Sequence, residues 1–222
     1  MKGADIMTAY QDFSFKGDSG QSQPMSSYMK NQFPFLGVPA PERRKQSREV
    51  IALSKKLPLS EIPDVVEAFY NREEREYQYL AIDICTANAR RLTLAEIQVF
   101  AGYVGRKSWW DSVDAWRKVF GNYVRYHPED KAKVFALFHQ HPDFWLRRVA
   151  ILLQLMEKET LDTAMLTDAI LFDRETTEFF IQKAIGWALR QYSKYNPDWV
   201  AAFIAKYPLS RLAQKEGSKY LL

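Results

Sequence analysis

Four stretches of this chain begin 35 residues apart, and each runs on in a helical apolar pattern. EREYQYLAIDIC starts at Glu74, WWDSVDAWRKVF at Trp109, FWLRRVAILLQL at Phe144 and FFIQKAIGWALR at Phe179. A second, shorter helical pattern lies between each pair. One such helix pair cannot bury its apolar face alone, so units of this kind must stack on their neighbours. The spacing predicts an all-α chain: an α-solenoid of HEAT-like helical repeats in which one helix of every pair lines a concave face. The marker residues of a tetratricopeptide array are missing.

The rest of the chain agrees with that register. Apolar residues recur at three- and four-residue spacing, with Pro39, Pro41, Pro58, Pro63, Pro128, Pro142, Pro197 and Pro208 as punctuation. Helices are expected near 24–33, 41–56, 60–70, 73–90, 94–104, 109–125, 129–139, 143–157, 161–172, 176–194, 197–205 and 208–219. Nine glycines and ten prolines among 222 residues are too few for a turn-rich β protein. The first 23 residues are polar and carry no apolar stretch of a signal peptide, so they read as a disordered leader before a single domain over 24–222. No run of about 18 apolar residues is present, which gives no membrane partner and makes a cytosolic protein the default. The lone cysteine, Cys85, sits among Tyr79, Leu80, Ile82 and Ile84 and reads as a buried helix residue.

Charge and aromatic residues converge on the long helices. A net charge of +4 permits a polyanionic partner without requiring one. On a helix, Trp110 and Asp114 stand one above the other, four residues apart. A π face beside a carboxylate suits a cation, although a helical tryptophan ordinarily packs in a core. Lys183, Trp187, Arg190 and Lys194 share one helix face, opposite Ile181, Ile185, Ala188, Leu189 and Tyr192, so Trp187 reads as lying off the core stripe. Between these two helices, Leu146, Val149, Leu153 and Met156 point inward and leave Arg147 and Arg148 toward solvent. With Lys107, Lys30, Arg43 and Arg44, these cations form a basic groove able to track a phosphate backbone. The histidines His127, His139 and His141 lack acidic or cysteine company, so no metal is expected, and no motif calls for a cofactor. Glu73, Glu74 and Glu76 read as a helix start favoured by the helix dipole, not as a catalytic pair.

Several segments together are similar to a known family. They are Tyr28 to Asn31, Phe35 to Val38 followed by Pro41 to Arg44, Glu74 to Glu76, and most specifically KSWWDSVD (107–114), WLRRVAI (145–151) and EFFIQKAIGWALR (178–190). Over roughly 24–220 the chain resembles the bacterial AlkD-like DNA alkylation repair glycosylases, which are built from HEAT-like repeats. The resemblance implies that Trp110 packs against the lesion nucleotide and that Asp114 is the catalytic carboxylate. It also makes Arg148 the arginine of the middle helix, Trp187 the second aromatic wall and Tyr28 an aromatic that helps close the site. Lys30, Arg43, Arg44, Lys107, Trp109, Arg147, Lys183, Arg190 and Lys194 then complete the DNA-binding set, with Trp109 also read as structural. Arg147 departs from the family pattern and is expected to add a phosphate contact; the polar leader departs as well. The implied activity is monofunctional hydrolysis of cationic N3- and N7-alkylpurines (3-methyladenine, 7-methylguanine) in base excision repair. The lesion would be captured on the concave face of a monomer bound to double-stranded DNA in the bacterial cytosol. A catalytically silent DNA-binding solenoid and a protein-interaction scaffold are the alternatives.

Overall fold

The computed structural model describes residues 10–221. Its secondary structure there is helical, with no strand among the described residues. The chain divides into two compact units, one ending at Glu96 and the other beginning at Ile97, where a single domain over 24–222 is expected from the sequence.

The first unit contains α1 (Ser19–Tyr28), α2 (Ala40–Gln46), α3 (Arg48–Ser54), α4 (Ile62–Tyr70) and α5 (Arg75–Asn88). The antiparallel neighbours α4 and α5 bury Val65, Val66, Phe69, Leu80, Ala81, Ile84 and Cys85 against each other and against α3. Cys85 is a free thiol, fully buried, and that burial pushes its pKa well up. Disorder through residue 23 does not hold for the described part of the leader. Tyr10 and Phe15 are buried; Tyr10 meets Phe69 edge-on at 6.1 Å and Phe15 lies 5.3 Å from Tyr77. Between them the Phe13 carbonyl accepts from Arg72 at 2.7 Å. Residues 1–9 of the leader lie outside the described residues. Helix α1 begins five residues before Pro24, because the Asp18 carboxylate caps it by accepting from Gly20 N–H at 2.8 Å. Glu76 is more than a residue of a dipole-favoured helix start. It is fully buried, and its carboxylate accepts from the backbone N–H groups of Leu36, Gly37 and Val38 at 3.0 Å each. Gly37 is obligatory there: its φ is +84°, and a Cβ would lie 2.0 Å from the Asp18 carbonyl oxygen.

The division between the units falls within α6 (Leu94–Ala101). The second unit continues with α7 (Trp110–Tyr126), α8 (Lys131–Phe138), α9 (Phe144–Leu152), α10 (Thr163–Asp173), α11 (Phe179–Tyr192), α12 (Pro197–Lys206) and α13 (Arg211–Gly217). The helices α5, α7, α9 and α11 open at residues 75, 110, 144 and 179, which reproduces the register to within one residue. The second helix is shorter in one repeat and not in the next: α8 has 8 residues against 17 in α7, whereas α10 has 11 against 9 in α9. Side-chain caps fix several starts: Asp143 accepts from Trp145 N–H at 2.8 Å, and Asp162 accepts from Ala164 and Met165 N–H at 2.9 and 3.1 Å. The helix α9 packs between α7 and α11, so the three opening helices of successive repeats form one layer. A core cluster beneath α9 and α11 includes Leu152, Ile181, Ile185 and Leu189, joined by Val200 and Phe203 of α12. This is an α-solenoid of helical repeats.

Candidate active site

The approach to α7 turns sharply. Lys107 takes the left-handed region at φ +47°, and Trp109 then extends to φ −155° before the helix begins at Trp110. Trp109 is thereby turned inward. Its ring lies 6.0 Å from Trp145 and 5.3 Å from Phe180, which are themselves 4.9 Å apart. This aromatic triad joins the first turns of α7, α9 and α11. The Trp109 ring is partly buried and packs in this triad.

Trp110 is partly exposed, one turn before Asp114 on α7. Arg148 reaches Asp114 from α9 and grips it with both prongs: Nε to Oδ1 at 2.9 Å and Nη2 to Oδ2 at 3.0 Å. Its remaining nitrogen, Nη1, donates to the Phe180 carbonyl of α11. One planar guanidinium therefore bonds to both neighbouring helices. The Arg148 side chain is 6% exposed, so it does not point to solvent as expected, while the Asp114 side chain keeps 21%. Bidentate pairing fixes the plane of the carboxylate and leaves an open edge of it to a ligand.

Trp187 is partly buried and packs on the core cluster, so it is closer to the core than its cationic neighbours suggest. Arg117, one turn after Asp114, places its guanidinium carbon 5.9 Å from the Trp187 ring centroid. Desolvation pulls the pKa of Arg117 down, opposed by the negative charge of Asp114 and assisted by the positive charge of Arg148. Sequence reasoning passed over Arg117. Its only signal is the i, i+3 spacing from Asp114.

The other cations of this unit expected to meet DNA divide by partner. Arg147 is not available for a phosphate. Its Nε donates to both oxygens of Asp173 at 3.0 and 3.1 Å, and Nη1 donates to the carbonyls of His141 and Pro142 at 2.7 and 2.8 Å. Lys183 and Arg190 share a face as expected, but both bind Glu216 of α13, at 2.8 and 2.7 Å. Gly186 makes that approach possible, since a Cβ there would lie 2.5 Å from the Glu216 Cβ. Lys194 is exposed, 3.0 Å from Gln191 Oε1 and 5.4 Å from the Tyr220 ring centroid. Lys107 is exposed too. Leu146, Val149 and Leu153 face inward, whereas Met156 is 50% exposed because α9 ends at Leu152.

In the first unit, Tyr28 is 70% exposed at the last residue of α1, followed at φ +58° by Lys30, also exposed. Arg44 is exposed on α2, but Arg43 is largely buried, 4.4 Å over the Tyr79 ring and 3.4 Å from Asp83. The histidines serve local packing: His127 stacks on Tyr123 at 4.5 Å, His139 stacks on Phe135 at 4.7 Å, and His141 accepts from Asp143 N–H at 3.0 Å. Among the described residues no three His, Cys, Asp or Glu side chains gather to hold a metal, and no helix is long and apolar enough to cross a membrane. A cavity of about 550 Å³ lies between the loops 174–177 and 208–212 and does not include Asp114, Trp110 or Trp187.

The geometry sets a fixed, partly exposed carboxylate beside an indole, backed by two arginines and by a second indole. Comparison with known proteins points the same way. No curated protein sequence matches the chain. A solved structure from Enterococcus faecalis, described as a "predicted DNA alkylation repair enzyme", is 50% identical and covers 94% of this chain and 98% of its own, with a TM-score of 0.92. The family model for the DNA alkylation repair enzymes matches residues 9–221. The chain therefore belongs to the DNA alkylation repair enzyme family.

Proposed function

We propose that this repair enzyme is a monofunctional DNA glycosylase that releases cationic N3- and N7-alkylated purines from double-stranded DNA. The observation that carries the reading is Asp114: a carboxylate fixed in orientation by Arg148 yet 21% exposed, one helical turn from Trp110. Alkylation at N3 or N7 gives the purine a positive charge. When the C1′–N9 bond breaks, its electron pair moves onto the base and cancels that charge, so no general acid is required. The sugar is left with oxocarbenium character, which a nearby carboxylate stabilises. Water then bonds to C1′ and loses a proton to Asp114, leaving an abasic site and a neutral alkylpurine. Trp110 and Trp187 offer π faces to the cationic nucleotide. The lesion is held against the layer of α7, α9 and α11, with Lys107 and Lys194 as the exposed cations of that unit; Tyr28, Lys30 and Arg44 are the exposed candidates of the first unit. No cofactor or metal enters the chemistry, and the working unit is a monomer.

Incubation with methylated DNA, followed by measurement of the released bases, tests this. Wild type should liberate 3-methyladenine or 7-methylguanine, and Asp114→Asn should bind DNA while losing at least about a hundredfold in release. Wild-type binding without release of either base would leave a DNA-binding solenoid in its place.

A further inference from the structure

Arg117 is the one member of the Asp114 cluster that no hydrogen bond accounts for. Its Nε is buried without a partner. The carboxylate whose field it feels, Asp114, gives both oxygens to Arg148. Both guanidinium groups lie in the field of one carboxylate, which only Arg148 contacts, and the three side chains carry a net charge of +1. A buried N–H without an acceptor is destabilising, because the protein has removed its water and returned no hydrogen bond. The arrangement suits a site whose missing acceptor arrives with the ligand.

The same charge balance narrows the ligand. A cationic base approaching a site of net positive charge gains less from Asp114 than it would from a free carboxylate, because Arg148 already shares that charge. A nucleotide in DNA, however, brings its own anion, the phosphodiester next to its sugar. A planar guanidinium fork matches two non-bridging phosphate oxygens. We propose that Arg117 binds the phosphodiester adjoining the lesion nucleotide, so that the cluster takes up a nucleotide carrying both a cationic base and an anionic phosphate. This inference rests on the proposed glycosylase reading and adds to it the group that recognises the backbone. The cation over Trp187 is then a phosphate clamp that also occupies part of one indole face.

The test is a binding cycle that does not depend on catalysis. Duplexes with a tetrahydrofuran abasic analogue carry a neutral methylphosphonate at one or the other of the two flanking phosphates. Wild type and Arg117→Met are titrated with each duplex, and with the unmodified one, over a range of salt. Arg117→Met should weaken binding to the unmodified duplex about tenfold to a hundredfold and lower the salt slope by about one. One methylphosphonate should weaken wild type by a similar factor and leave Arg117→Met unchanged. The melting temperature of Arg117→Met should not fall below that of wild type, since a side chain with a buried, unpartnered N–H is replaced by an apolar chain of similar length. Arg117→Lys, which keeps charge without the fork, should restore the salt slope and only part of the affinity. Losses that add at both phosphates overturn the proposal, as does a lowered melting temperature with unchanged binding. Either result alongside intact base release by wild type refutes the role of Arg117 alone, whereas a wild type that binds none of the duplexes refutes the glycosylase reading with it.

Discussion

Arg147 and Arg148 are consecutive residues of α9, and each grips an aspartate of a neighbouring helix with near-ideal hydrogen bonds. Their surroundings separate them. The Arg147–Asp173 pair is closed: the carboxylate is 4% exposed, and the guanidinium also holds two loop carbonyls. Burial pushes the Asp173 pKa up against the opposing pull of Arg147. In the Arg148–Asp114 pair the carboxylate is 21% exposed, with Trp110 one turn before it and an unpartnered guanidinium nitrogen one turn after it. One ion pair has nowhere to admit a ligand, while the other has an accessible edge and unspent charge. An arginine–carboxylate pair is therefore no guide to chemistry until its neighbours are counted.

Activity gives the sharpest test of that contrast. Asp114→Asn should reduce base release by about a hundredfold to ten-thousandfold, whereas Asp173→Asn should leave release within about threefold of wild type. Equal losses would mean that both pairs serve only to hold the fold. Stability should rank the pairs the other way. Arg147→Ala strands a carboxylate with no access to water and should cost about 3–5 kcal/mol by urea denaturation. Arg148→Ala should cost less, about 2 kcal/mol, because Asp114 can rehydrate. The smallest effect lies in the Lys183–Glu216–Arg190 group, whose two cations hold the Glu216 carboxyl below its ordinary pKa. A depressed carboxylate adds stability above its unfolded pKa and loses it as pH falls through the folded value, so the advantage of wild type over Glu216→Gln should be under about 1 kcal/mol at neutral pH and disappear in acid. Asp173 has the opposite sign: with its pKa raised, its contribution should decline as pH rises through the folded value. Thermal melts of the single variants across the acid range would read both slopes.

The repeat was legible because its helix starts are set by local chemistry. Trp110, Phe144 and Phe179 open helices behind extended residues, and apolar spacing carries each one onward. Asp114 was legible too, since a tryptophan and a carboxylate four apart on a helix stand out. The leader was not: Tyr10, Phe13 and Phe15 are three aromatics in a polar stretch, and only their docking on Phe69 and Tyr77 makes them core. The state of each cation was also hidden. Asp173 lies 26 residues from Arg147, as Glu216 does from Arg190, and no helical spacing reports partners that distant. Arg117 stands out only once Arg148 has taken both oxygens of Asp114.

The bonds of Arg148 have a mechanical meaning as well. One rigid plane spans α7, α9 and α11 through the Asp114 side chain and the Phe180 main chain, and so acts as a gauge of the distance between successive repeats. Hydrogen bonds of this kind tolerate only a few tenths of an ångström of stretch before they weaken. If the array is flexed as it seats on a duplex, the gauge must let go of α7 or α11. Release from α7 would strip Asp114 of its counter-charge at the moment of docking, making the spacing of the repeats and the electrostatics of the carboxylate a single degree of freedom.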